Sequence, residues 1–172
     1  MTKTNRFMLV PRSDHDTFHC MKALIQRVST AKVWVEGNVI GKIGPGMVIF
    51  LGVRQEDTQQ DAEELSRKIA KIRIFPDDQD RMNLSLSDIA GEALVISQFS
   101  LYANTRKGNR PSFITAASPA QAKALYDHFV YSMGLHLSPE CIQTGRFRSS
   151  MQVELTNDGP VTFNLDTDTN TK

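Results

Sequence analysis

A mixed α/β fold with a largely antiparallel or mixed sheet is what this sequence predicts, and three observations carry it. Residues 47–53, MVIFLGV, form a continuous apolar run, the pattern of a strand buried on both faces. Ala62, Leu65, Ile69 and Ile72 recur at helical spacing and give 58–72 one apolar stripe. Ser118-Pro119-Ala120-Gln121 is a helix start, with serine at the N-cap, proline at the first helical position and glutamine at the third. Read through to the end, the chain yields about eight strands and two helices.

The elements follow in order. Residues 21–29 alternate as a strand, with Ala23, Ile25 and Arg27 on one side. Strands at 32–35 and 39–43 flank Glu36-Gly37-Asn38, a hairpin signal. Gly44-Pro45-Gly46 breaks the chain before the apolar run, and Asp57 or Thr58 caps the first helix. A short strand at 72–75, an acidic turn at 76–80 and a strand at 92–101 lead into a long polar loop at 102–112. The second helix buries Ala122, Leu125, Phe129 and Met133 and ends at Gly134, a C-terminal cap. Strand-like pieces at 141–147, 151–156 and 161–165 close the chain, the last two separated by Asn157-Asp158-Gly159-Pro160. Two helices cover one sheet face; the other needs sheet curvature or a partner subunit.

The 172 residues suit one domain, and 40% hydrophobic content is enough to fill its core. The formal net charge of +1 offers no global field to a nucleic acid, so such a partner has to meet a local patch. Cys20 and Cys141 form no CxxC and no Cys/His cluster, which argues against a structural zinc site, and a disulfide is not expected. No metal or other cofactor is called for. No apolar run reaches the roughly 18 residues of a spanning helix. Residues 1–20, MTKTNRFMLVPRSDHDTFHC, show no strand or helix period. Within them Leu9-Val10-Pro11-Arg12-Ser13 resembles a protease-cleavable linker. They are expected to be a disordered extension, with the folded domain spanning 21–166 and a tail at 167–172.

Three motifs bear on chemistry. Ser97 and Ser100, in SQFSL, sit where an apolar run turns polar. A serine nucleophile needs a base, but the domain's histidines, His128 and His136, lie in or just past the second helix, and no GxSxG elbow surrounds either serine. On motif grounds the two serines merely end a strand. Asn157-Asp158-Gly159-Pro160 reads as an ordinary turn, or, with a cis Gly-Pro bond, as a rigid polar edge that tests shape at a reacting carbon. Arg106, Lys107 and Arg110 in TRKGNRPSF form a solvated basic loop or a phosphate-binding one, and Arg146 and Arg148 form a second small cluster.

Taken together, MKALIQRV, MVIFLGV, RIFPDDQDRMNLSL, SQFSL, KGNRPSF and NDGPVTF, in this order, resemble the D-aminoacyl-tRNA (D-tyrosyl-tRNA) deacylase family from Met21 to about Leu165. The resemblance implies a homodimer with a curved, barrel-like mixed or antiparallel sheet carrying two main helices. It implies hydrolysis of the ester between a D-amino acid and the 3′-terminal adenosine of tRNA, with glycyl-tRNA also accepted, in the cytoplasm and with no membrane or DNA partner. It implies that Gly159-Pro160 is cis and reaches into the partner subunit's pocket, braced by Arg27, and that Ser97, Gln98, Phe99 and Ser100 form the catalytic segment. Backbone N–H groups of Phe99 and Ser100 are then expected to stabilise the oxyanion, the 2′-hydroxyl of the RNA to accept the proton, and Arg106, Lys107 and Arg110 to bind RNA. On this reading Ser100 is not a nucleophile. Two competing readings are a non-enzymatic RNA-binding module and the sister deacylase that clears L-alanine, which departs at the SQFSL position.

Two departures from the family pattern stand out. Serine replaces the usual threonine at 100. Phe147-Arg148-Ser149-Ser150 stands where the family has Phe-Gly-Ala before a methionine.

Overall fold

A computed structural model describes residues 21–106 and 108–167. The extension expected at 1–20, Lys107, and the tail beyond Thr167 lie outside the described residues.

Strand β1 (Lys22–Val35) is the hub, one strand where the sequence suggested two. Its residues Lys22–Val28 pair antiparallel with β3 (Gly46–Gly52), and Ala31–Val35 pair antiparallel with β2 (Asn38–Ile43). The opposite edge of β1 carries β8 (Gln152–Asp166) along nearly its whole length, also antiparallel. β3 in turn pairs parallel with β6 (Glu92–Ser97), and β6 parallel with β7 (Ile142–Thr144). The sheet is therefore mixed.

A change of phase in β1 explains how one sheet serves two cores. Ala23 and Ile25 are buried, then Val28, then Ala31, Val33 and Val35, so the two-residue alternation slips between 25 and 31. The pairing with β8 shifts register over the same stretch. Bulges of this kind add twist and turn the following side chains to the opposite face. Ala23 and Ile25 consequently pack with the helices, together with Met47, Ile49, Leu51, Ala93 and Val95. Val28, Ala31 and Val33 pack instead with Ile43, Val48, Leu94 and Ile96 on the other face.

That second core forms because the sheet curls. A Cβ added to Gly41 of β2 would lie 3.1 Å from the Thr144 carbonyl oxygen of β7 and 3.3 Å from Leu94 of β6. The two sides of the sheet thus approach a nearly closed barrel. Curvature supplies the cover the sequence required for that face. β3 alternates between the two cores, which is why its sequence is apolar throughout.

Helix α1 (Gln59–Lys71) is capped by Thr58 in a reciprocal box with Asp61, and buries Ala62, Leu65, Ser66, Ile69 and Ala70. Helix α2 (Pro119–Gly134) is capped by Ser118, which accepts a bond from the Gln121 N–H. Phe129 of α2 is fully buried, a placement that stabilises by roughly 2–3 kcal/mol. Gly134 is the last helical residue and Leu135 the cap, one position later than expected.

Four other expectations are corrected. The strand expected at 72–75 is β4 (Phe75–Pro76), and it pairs with β5 (Met82–Leu84), which the sequence reading missed. The strand expected at 92–101 ends at Ser97, where the chain winds into a 3-10 turn, Phe99–Tyr102. The piece at 141–147 shrinks to β7, since Arg146 and Arg148 lie exposed in a turn. Residues 151–156 and 161–165 are not two strands of a hairpin but one strand, β8, because both halves pair with β1.

Candidate active site

A cleft of about 590 Å³ opens where the end of β6 meets the start of α2. Leu51, Val53, Ile96, Phe113, Phe147 and Met151 make it apolar, and Ser97, Gln98 and Phe99 supply the strand end. Tyr126 also lines it; its hydroxyl donates to the buried Val95 carbonyl at 2.8 Å, and burial pushes its pKa upward. The sequence reading placed Ala122 in the stripe of α2 but missed Tyr126, which lies one turn further on the same face.

The serines divide here. Ser97 is the last residue of β6, and the Gln98 N–H continues the ladder by donating to the Leu51 carbonyl at 2.7 Å. Ser100 lies within the 3-10 turn, is exposed, and accepts a bond from Gln98 Nε2 at 2.5 Å. No histidine lines the cleft among the described residues. His128 instead bonds to Glu63 of α1 at 2.8 Å, and the His136 carbonyl accepts from Ser87. Among the described residues, a serine nucleophile with a histidine base is absent from this site. The Phe99 and Ser100 N–H groups open the 3-10 turn, where a helical segment has no internal acceptors for them.

Phe99 and Phe113 meet edge-to-face at the cleft, ring centroids 4.9 Å apart, and Phe99 remains 62% exposed. The segment carrying Phe113 is tied to the loop before α1. The Gln55 N–H donates to Thr115 O and its side chain to Ile114 O, while the Ala117 N–H donates to Val53 O. Asp57 anchors that loop by accepting the Arg54 N–H at 2.6 Å. Its burial pushes its pKa up to about 6, and its Oδ1 is buried without a partner.

A second group of the expected residues lies on β1 and β8. Gln26 pairs with Thr162 and Val28 with Asn157, so Arg27 alone faces the four residues 158–161. This wide bulge is closed by Asn157, whose side-chain N–H groups donate to the Arg27 and Val161 carbonyls at 2.9 and 3.1 Å. Arg27 Nε donates to the Asp158 carbonyl and pairs with its carboxylate, while another guanidinium N–H donates to Ile74 O at 2.6 Å. The Gly159-Pro160 bond is cis, and 158–160 are exposed. A Cβ at Gly159 would collide with the Val161 nitrogen, so the bulge requires glycine there. None of Arg27, Gly159 and Pro160 lines the cleft of their own chain.

The basic loop is pinned at its base by reciprocal backbone bonds between Asn104 and Ser112, at 2.8 and 2.9 Å. Arg106 and Arg110 are exposed on it, and Lys107 lies outside the described residues. Of the second cluster, Arg146 pairs with Glu36 at 3.5 Å and Arg148 lines the cleft. Among the described residues no group of three or more His, Cys, Asp and Glu is placed to hold a metal ion, and no helix is long and apolar enough to cross a membrane.

The sequence model of the D-Tyr-tRNA(Tyr) deacylase family matches residues 24–166. This chain belongs to that family. The D-Tyr-tRNA(Tyr) deacylase match thus takes in the cleft, the bulge and both helices, and leaves 1–20 outside it. A D-aminoacyl-tRNA deacylase of Pseudoalteromonas translucida is 54% identical over 146 residues, which is 84% of this chain and 99% of that protein. A structure named c-Myc DNA Unwinding Element Binding Protein superposes with a TM-score of 0.80 at 41% identity, over 84% of this chain and 97% of that one. A probable eukaryotic D-amino acid tRNA deacylase, 15% identical, shares the fold with a TM-score of 0.75 over 86% of this chain and 99% of that one.

Proposed function

We propose that this protein hydrolyses the ester joining a D-amino acid to the 3′-terminal adenosine of tRNA, and accepts glycyl-tRNA as well. The observation that carries the mechanism is the strand end Ser97-Gln98-Phe99 lining an apolar cleft that has no nucleophile-base pair. An aminoacyl-tRNA ester is already activated, so a placed water and oxyanion stabilisation are enough. The N–H groups of Phe99 and Ser100 supply the stabilisation, one such donor being worth roughly 3 kcal/mol. The neighbouring 2′-hydroxyl of the RNA accepts the proton. The Ser100 hydroxyl, engaged by Gln98, orders the strand end.

Chiral choice comes from Gly159 and Pro160. They are exposed and absent from the cleft of their own chain, which supports a homodimer in which each copy presents this edge to the other's cleft. A D-residue points its side chain away from the edge and an L-residue drives into it, so rejection by clash needs no reading of the side chain. Arg27 braces the edge, and Arg106, Lys107 and Arg110 hold the RNA. A cytoplasmic location fits a tRNA substrate. The SQFSL segment favours this reading over the L-alanyl sister group.

Deacylation of D- and L-tyrosyl-tRNA, with light scattering for the dimer, tests the proposal. Cleavage of the L-ester alone, or of neither, rejects it. The name of the 41%-identical structure raises DNA as another ligand. Failure of duplex DNA to compete with D-tyrosyl-tRNA disposes of that reading.

A further inference from the structure

Arg148 is the one charged side chain among the described residues lining the cleft. It is exposed, and two features set it apart. Its backbone φ is +62°, in the left-handed region that a residue with a Cβ seldom enters. It also lines the same cleft as Phe147 and Met151 with no carboxylate partner among the described residues, whereas Arg146, two positions earlier, pairs with Glu36. The turn is closed by the Ser149 N–H donating to the Arg146 carbonyl at 3.2 Å. This turn sends one arginine outward to the β1–β2 hairpin and leaves the other at the cleft.

An unpaired guanidinium at the rim of an apolar cleft is a site for an anion, and its planar fork suits a phosphate. The substrate under the deacylase reading, on which this inference rests, has charges of opposite sign at its two ends. The amino acid carries an α-ammonium, which a guanidinium repels. The adenosine carries a 5′-phosphodiester on the other side of the ribose. We infer that Arg148 is a substrate-binding residue that holds the 5′-phosphate of the 3′-terminal nucleotide and so favours one lie of the aminoacyl-adenosine in the cleft.

The test compares wild type with R148Q, R148K and R148G, using adenosine and adenosine 5′-monophosphate as calorimetric probes and D-tyrosyl- and D-aspartyl-tRNA as substrates. Wild type is expected to bind the monophosphate about tenfold more tightly than the nucleoside, with that advantage gone in R148Q and partly kept in R148K. KM for both tRNAs should rise about tenfold in R148Q, with kcat little changed and the D-over-L preference intact. R148G lacks the Cβ that the left-handed backbone disfavours, so it should melt at or above the wild-type temperature while losing the same advantage, which separates binding from misfolding. An unchanged monophosphate advantage in R148Q overturns the inference. So does a loss confined to D-aspartyl-tRNA, which would assign the guanidinium to the amino-acid side chain. A wild type that shows the Arg148-dependent advantage yet deacylates nothing would leave the phosphate site standing and reject the deacylase reading.

Discussion

Arg27 Nε lies 2.8 Å from the backbone carbonyl oxygen of Asp158 and 3.0 Å from its carboxylate. One side chain of β1 thus holds the bulge of β8 that displays Gly159 and Pro160, and through Ile74 ties it to the segment after α1. The Arg27 side chain is only 12% exposed while Asp158 is 54% exposed, so the fixed member of the pair is the arginine.

Arg27→Ala should therefore loosen the bulge. Loss of charge-assisted bonds to two carbonyls is expected to cost about 2 kcal/mol, read from urea unfolding. Discrimination between D- and L-tyrosyl-tRNA should narrow at least tenfold. Full discrimination in the variant would separate the brace from chiral selection.

Ser100→Ala should keep substantial deacylase activity, within about tenfold of wild type, because the hydroxyl only accepts a hydrogen bond from Gln98. Mass spectrometry should show no aminoacyl-enzyme in the wild type. An adduct on Ser100, or loss of several orders of magnitude, would restore the serine as a nucleophile.

Replacing Arg106 and Arg110 together with Lys107 by alanine should weaken tRNA binding and flatten its dependence on salt. Each phosphate contact removed lowers the slope of log K against log[salt] by roughly 0.7 on a single-stranded acceptor end. Chiral preference should not change, since Arg106 and Arg110 lie on a loop and not on the bulge that carries Gly159 and Pro160.

Asp57→Asn probes the loop that supports the cleft wall. The folded-state pKa of Asp57 is raised from 3.8 to about 6. The folded protein thus binds the proton more tightly than the unfolded chain, and stability falls as pH rises from about 4 to about 6. Above that window wild type bears a constant cost on the order of 3 kcal/mol, which the amide avoids. Melting curves at pH 4 and pH 7 should show the variant gaining on wild type at the higher pH. An equal difference at both would place the Asp57 pKa near its ordinary value.

Tyr126→Phe is expected to cost about 1 kcal/mol, the low end for a buried bond. The Val95 carbonyl it would abandon still accepts the Gly145 N–H at 3.1 Å and is not left bare. Unfolding in urea measures this, and a cost above about 3 kcal/mol would mean that the hydroxyl also holds the cleft wall.

Much of this was legible in the chain itself. The helix start at Ser118 is written in local capping chemistry, that of α1 is narrowed to Asp57 or Thr58, and the apolar run of β3 follows from burial on both faces. SQFSL and NDGPVTF draw notice through their resemblance to the family, since by residue type alone they read as a strand end and an ordinary turn. Of the expected segment Ser97, Gln98, Phe99 and Ser100, the first three line one cleft, and Ser100 is not among its lining residues.

What local pattern left open was set by pairing at a distance. Asn157-Asp158-Gly159-Pro160 looks like a hairpin turn in any window of ten residues. It is a bulge because β1, more than 120 residues earlier, pairs with both of its flanks. A second irregularity, one extra β1 residue between Val28 and Thr30 opposite the step from Asn157 to Thr156, switches β1 from one core to the other, which no two-residue period in the sequence announces. Arg146 and Arg148 are indistinguishable as neighbouring cations, yet one meets Glu36 and the other a cleft built from β3, β6, α2 and the turn after β7. Residue chemistry determines which groups this protein has available. Which of them face one another depends on strand register and sheet curvature, and those arise from contacts between segments far apart in the chain.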